Sequence, residues 1–255
     1  KDGMDFDDPM PRLLYNMAQC SAEARSDWYP PVMIYGMGGQ ILDLETGMPG
    51  PYIRAFVELS IMCHEFTHIV TKNTAQLSSS IPSEGGAINE SFSDIMAVSL
   101  VKNDTYGVGS QSPWIVGGQG LIIRKDNMRN LENPKISGDV PQADTYHGEN
   151  WDKLDKYKMM GVQNKFYYLL CEGGKGTNDN GDSYDMTGIG IDKGMRIAYL
   201  TLTKYCSSET DFSTVSECWQ QASEELYGKY SAEKQAVIRA WAAVGVGNAD
   251  YTGID

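Results

Sequence analysis

The heptapeptide Cys63-His64-Glu65-Phe66-Thr67-His68-Ile69 constrains this chain more than any other stretch. The sequence holds three histidines, and two of them stand four residues apart here. On an α-helix, residues four apart lie about 40° from each other, so His64 and His68 project from one face and can share one zinc ion. Glu65 lies about 100° round from His64. It can reach a water in the open position of the metal without ligating the metal itself. That is the geometry of a general base in metal-assisted hydrolysis.

The apolar period near 3.6 predicts a helix over about 52–74. Ala55, Leu59, Met62, Phe66, Ile69 and Val70 form its expected apolar stripe, with the two histidines almost opposite. A zinc site of this kind needs a third protein ligand. Glu90 is the candidate, in a second helical pattern beginning at Gly86. Asp94 lies one turn further on the same face, with Ala87, Ala97 and Val101. Small residues there permit a close helix–helix approach, while Ile88, Phe92 and Ile95 turn towards a core. Asp94 then suits the role of accepting a hydrogen bond from the non-ligating nitrogen of a histidine. Taken alone, Glu90 and Asp94 would read as a solvated acidic face; beside the upstream His-Glu-x-x-His pattern the ligand reading prevails.

The paired segments His64–His68 and Gly86-Ala-Ile-Asn-Glu90-Ser-Phe-Ser-Asp94 resemble the thermolysin family of zinc endopeptidases. So do Met33–Gly39, Met128–Pro134, Gly161–Leu170, Gly188–Lys193 and the tail from Ala222 to Val246, so the likeness runs over roughly residues 28–248. The resemblance implies an α+β, thermolysin-like zincin with a mainly helical C-terminal lobe and a reduced, β-containing N-terminal part. It implies zinc bound by His64, His68 and Glu90, a water activated by Glu65, and Asp94 orienting a ligand. It also implies that Arg129 contacts a substrate carbonyl and the pocket beyond the cleaved bond. Peptides or proteins are the implied substrates, and secretion the implied destination.

Departures from the family pattern bear on the chemistry. Tyr157 stands where the family places a catalytic histidine. Leu77–Ile81 occupies the place of its oxyanion-stabilising tyrosine, and Arg25-Ser26-Asp27-Trp28 replaces a substrate-clamping Asn-Ala-Phe-Trp. Zinc and water activation are untouched, but losing one such donor costs about 10²–10³ in rate. A tyrosine hydroxyl can donate to a developing oxyanion, so Tyr157 is the catalytic candidate beside Glu65; His147 is a second, against its reading as a plain loop histidine. The expectation is an altered peptidase, and the alternative is a catalytically silent zinc-bearing relative that binds peptides or a partner protein.

Composition bounds the rest. The 255 residues carry a formal charge of −13, which argues against nucleic acid and anionic membranes as partners. No apolar run is long enough to insert into a membrane. The start, Lys1 to Asp8, lacks an apolar signal region and reads as a mature or trimmed terminus. Two parts are expected, a short or truncated β-containing part over 1–50 and a zinc-binding helical part over 51–255. Further helices are expected at about 86–103, 158–171, 191–206, 211–228 and 231–244, with Trp219, Leu226, Val237 and Trp241 in the core. Of five cysteines, Cys63 and Cys171 read as core residues, while Cys206 and Cys218 could pair. The loop Thr177–Met186 is open to two readings, a calcium site with alternating oxygens and a hairpin turning at Asn180-Gly181.

Overall fold

A computed structural model describes residues 12–16, 22–25, 32–36, 39–42, 49–53, 58–78, 83–102, 112–117, 129–138 and 141–247. The strands of the first part are short. β1 (Arg12–Asn16) pairs parallel with β3 (Val32–Gly36), and β2 (Ala22–Arg25) pairs antiparallel with β3 on its other side. β4 (Gly39–Leu42) and β5 (Pro49–Ile53) form a separate antiparallel pair. These five short strands lie in or at the edge of the β-containing part expected over 1–50.

Helices dominate thereafter. α1 (Leu59–Asn73) starts seven residues later than its period suggests, because Pro51 to Ile53 belong to β5. The expected apolar stripe is also corrected. Leu59 and Phe66 are exposed, whereas Ser60, His64, Glu65, Thr67 and Thr71 are buried with Ile61 and Ile69. The histidine face is therefore the packed face. Ile61 and Ile69 join Met33 and Tyr35 of β3 in a small apolar cluster that seats α1 on the sheet.

α2 (Glu84–Lys102) explains the inversion. Every residue from Gly86 to Ile95 is buried, so this helix is enclosed on all sides. Its polar side chains must then find partners inside the protein. Ser91 donates to Asn164 Oδ1 at 2.8 Å, Ser99 pairs with the Tyr167 hydroxyl at 2.7 Å, and Ser93 donates to the Asn89 carbonyl. One side of α2 meets the polar face of α1, and the other meets the apolar core.

Two short antiparallel bridges follow, β6 (Ile115–Val116) against β7 (Arg129–Asn130). α3 (Lys156–Met159) is capped by Asp155, whose carboxylate accepts the Tyr157 backbone N–H, and it runs through Met160 into α4 (Gly161–Glu172). β8 (Gly173–Thr177) and β9 (Ser183–Thr187) form the hairpin, turning through Gly181 at φ 91°. Within it Asp179 accepts from Lys135 at 2.6 Å and Asp185 from Lys175 at 2.7 Å.

α5 (Ile191–Leu200) ends in one wide turn over Thr201–Tyr205, where the Cys206 N–H reaches back five residues. α6 (Phe212–Tyr227) has a full capping box between Asp211 and Thr214, and α7 (Ala232–Ala243) is capped by Ser231. These bounds match the helices expected at about 211–228 and 231–244. The core holds Trp219, Val237 and Trp241, with Phe166 stacked on Trp241 at 3.9 Å and Phe92 on Trp219 at 5.7 Å. Leu226 is exposed instead, on the outer face of α6. Cys206 and Cys218 are free thiols, and Cys218 Sγ donates to the Tyr205 carbonyl at 3.3 Å.

Candidate metal centre

His64 and His68 on α1 face Glu90 on α2, and among the described residues their ligating atoms form one tight group. His64 Nε2 lies 3.1 Å from His68 Nε2, 3.4 Å from Glu90 Oε2, and His68 Nε2 lies 3.6 Å from the same oxygen. Zinc bonds of about 2.0–2.2 Å in a tetrahedron require ligand–ligand edges of about 3.3–3.6 Å. The two edges to Glu90 fall in that range and the edge between the histidines is slightly shorter, so the triangle is close to the size one zinc ion would need.

Each imidazole is oriented by its other nitrogen. His64 Nδ1 donates to Asp94 Oδ1 at 2.8 Å, and His68 Nδ1 donates to Asn89 Oδ1 at 2.9 Å. The Asn89 amide cannot be reversed, since its nitrogen donates to the Leu77 and Ser78 carbonyls. These bonds place the Nε2 lone pairs on the shared point, the arrangement metal-bound histidines use. Two lone pairs 3.1 Å apart repel unless a cation or a shared proton lies between them. The donor set of two imidazoles and a carboxylate suits zinc, and cobalt or nickel would accept the same donors.

Asp94 is the hub behind the triangle. It is wholly buried. Besides His64 it accepts Arg129 Nε at 2.9 Å on Oδ1 and 2.8 Å on Oδ2, and Asn164 Nδ2 at 3.0 Å. Burial alone would raise its pKa, but the Arg129 charge and the bond from His64 hold it below the usual carboxylate range. Glu90 is likewise held well below that range, with burial overcome by the two histidines. For His64, burial and Arg129 oppose the imidazolium, yet its bonds to Asp94 and Glu90 raise its pKa to about 9. A metal ion bound there would displace the proton that these bonds favour on His64.

The other expected residues stand around this triangle. Glu65 is buried on α1 beside His64. Arg129 reaches the centre from β7. Tyr157 stands half-exposed at the start of α3, where the partial burial of its phenol and the Glu90 charge raise its pKa, so it stays a donor. His147 lies elsewhere, exposed, its ring tilted against Tyr146 at 4.1 Å between centroids. Ser79 and the side chain of Arg25 fall outside the described residues.

Three participants escaped the sequence reading. Asn89 directly precedes Glu90 and could have been suspected from that adjacency. Asn164 and Lys156 gave no such sign. Lys156 Nζ donates to Glu90 Oε1 at 2.7 Å, on the oxygen turned away from the histidines. Burial opposes its charge, but Glu90 overcomes this and raises its pKa.

Residues 80–246 match the family described as thermolysin metallopeptidase, alpha-helical domain. Neutral protease B of Bacillus subtilis (strain 168) is 33% identical over 190 residues, 74% of this chain and 32% of that protein. Bacillolysin of Brevibacillus brevis is 32% identical over 223 residues, covering 86% and 37% respectively. Thermolysin of Alicyclobacillus acidocaldarius subsp. acidocaldarius is 31% identical over 225 residues, with the same coverage. The chain spans about a third of the length of the curated relatives it matches.

Proposed function

We propose, from the premise that this chain belongs to the thermolysin family of metallopeptidases, a zinc-dependent endopeptidase that cleaves peptide or protein substrates. The observation that carries this reading is the triangle of His64, His68 and Glu90, whose edges suit one zinc ion. When bound, zinc supplies Lewis acidity, polarising a scissile carbonyl and lowering the pKa of a water in its open position.

The chain's own residues then divide the work. Glu65 is the general base that takes the proton from the attacking water and hands it to the leaving amine. His64 and His68 are held in one tautomer by Asp94 and Asn89. Arg129, positioned by its paired bonds to Asp94, contacts the substrate carbonyl, and the Tyr157 hydroxyl donates to the developing oxyanion. The strands over 12–53 form the reduced N-terminal part, and the helical remainder is the catalytic part.

A second reading, a silent zinc-bearing relative that binds peptides, draws support from Tyr157 in the histidine's place. A buried Glu65 outside the group of His64, His68 and Glu90 speaks for the peptidase. Cleavage of a quenched peptide library with and without a chelator, beside Glu65→Gln, separates them. The peptidase reading expects chelator-sensitive cleavage that Glu65→Gln loses while keeping its zinc. Fully metallated wild type that cleaves no library peptide supports the silent relative. Extracellular action is part of the proposal, and no helix among the described residues is long and apolar enough to cross a membrane.

A further inference from the structure

We propose that Lys156 is a catalytic residue of this centre, its ammonium donating a hydrogen bond to the substrate oxygen on which negative charge develops. The inference rests on the peptidase reading above and assigns the charge stabilisation that the substitution at Tyr157 leaves short.

The geometry is specific. Glu90 uses its two oxygens differently: Oε2 faces both histidine Nε2 atoms, and Oε1 accepts Lys156 Nζ at 2.7 Å. Glu90 can therefore give the metal one oxygen while Lys156 fixes the other. An ammonium has three donors. One goes to Glu90, and Nζ also lies 4.9 Å from the Tyr157 ring centroid. The ammonium is thus tied to a metal-ligand oxygen and stands beside Tyr157, the candidate oxyanion donor. Its side chain is 15% exposed, buried enough to strengthen its field and open enough to meet a ligand.

The backbone beneath it is also held. Asp155 caps α3, and the Lys158 carbonyl accepts the Ala143 N–H at 2.9 Å. Such a fixed charge is what electrostatic stabilisation of an oxyanion needs, because nothing must reorganise during the reaction. The ammonium keeps its proton throughout, so no bond is made or broken at Lys156. The opposing interpretation is that Lys156 only steadies Glu90, as outer hydrogen-bond partners of metal ligands do.

The two differ in what they do to anion binding. Take the library peptide that the wild type cleaves best, and remake it with a tetrahedral phosphinic group at the scissile position. Measure three quantities for wild type, Lys156→Met and Lys156→Arg: zinc affinity by chelator competition, phosphinic-peptide affinity at full zinc occupancy, and kcat and KM. The expected result for Lys156→Met is full zinc loading, phosphinic affinity and kcat down together by about 10²–10³, and KM nearly unchanged. Lys156→Arg recovers part of both losses.

Unchanged phosphinic affinity in zinc-loaded Lys156→Met overturns the proposal, even if zinc affinity has fallen, because that pattern belongs to a residue that only steadies Glu90. Failure of the peptidase reading looks different. There, zinc-loaded wild type cleaves no library peptide, and the proposal falls with it.

Discussion

Asp94 Oδ1 stands 2.8 Å from His64 Nδ1 and 2.9 Å from Arg129 Nε, so one wholly buried carboxylate oxygen joins the candidate metal ligand to the candidate substrate-binding cation. Its other oxygen is taken by Arg129 and Asn164. The site therefore has one internal anchor, and disturbing it reaches both the metal and the substrate side.

Asp94→Asn keeps the shape and removes the charge. Zinc affinity is expected to fall about 10–100-fold, as when outer partners of metal ligands are altered, and chelator competition reads it. Asp94→Ala leaves Arg129 buried without its partner, at a cost of about 3–5 kcal/mol, which urea unfolding of the metal-free protein measures. Wild-type stability and zinc affinity in both variants would remove Asp94 from this role.

The pH dependence follows from His64. Its folded pKa of about 9 exceeds the ordinary 6.5. The sign is that of a raised group: in the metal-free protein, stability from His64 is fully present below about pH 6.5 and is lost as pH rises through about 9. Zinc requires the neutral imidazole, so its affinity rises with pH up to about 9. Zinc binding near pH 7.5 is expected to release about one proton from His64, which calorimetry in two buffers of different ionisation heat detects. Glu90 and Asp94 act at the acid end. Their lowered pKa values give stability that is present above the ordinary carboxylate range and lost as pH falls through the folded values.

Tyr157→Phe tests the phenol alone, since the ring near Lys156 is kept. Loss of one oxyanion donor is expected to lower kcat by about 10²–10³, with zinc content unchanged. Equal turnover in the variant would strike Tyr157 from the mechanism.

Gly161→Ala tests how the start of α3 and α4 is held. A Cβ at this position would lie 2.3 Å from the Ala143 carbonyl oxygen and 2.7 Å from Gln142 Cβ. The first contact is backbone and cannot rotate away. A stability loss of about 1–3 kcal/mol is expected from overpacking. It should come with weakened turnover, because Lys156 and Tyr157 ride on the same turn. Thermal unfolding and steady-state kinetics check the two effects.

Much of this centre was legible in sequence because its information is local. The spacing of His64, Glu65 and His68 is a helix property, and so is the one-turn step from Glu90 to Asp94. The expected helices at about 211–228 and 231–244 were found for the same reason, since their caps at Asp211 and Ser231 are local signals. Leu59, Phe66 and Leu226 were misjudged because periodicity reports only that a helix has an apolar side. It does not say which side meets a neighbour. Once α2 is enclosed, α1 packs its polar face inward, and Leu59 and Phe66 turn out to water.

The chain's order of residues thus determined the ligand types, their helical phase and the family pattern around them. Tertiary packing alone decided that Asn89 would orient His68, that Asn164 would support Asp94, and that Lys156 would seat on the outer oxygen of Glu90. Those contacts join residues on separate elements, and hydrogen bonds across such separations depend on how buried helices satisfy one another's polar groups.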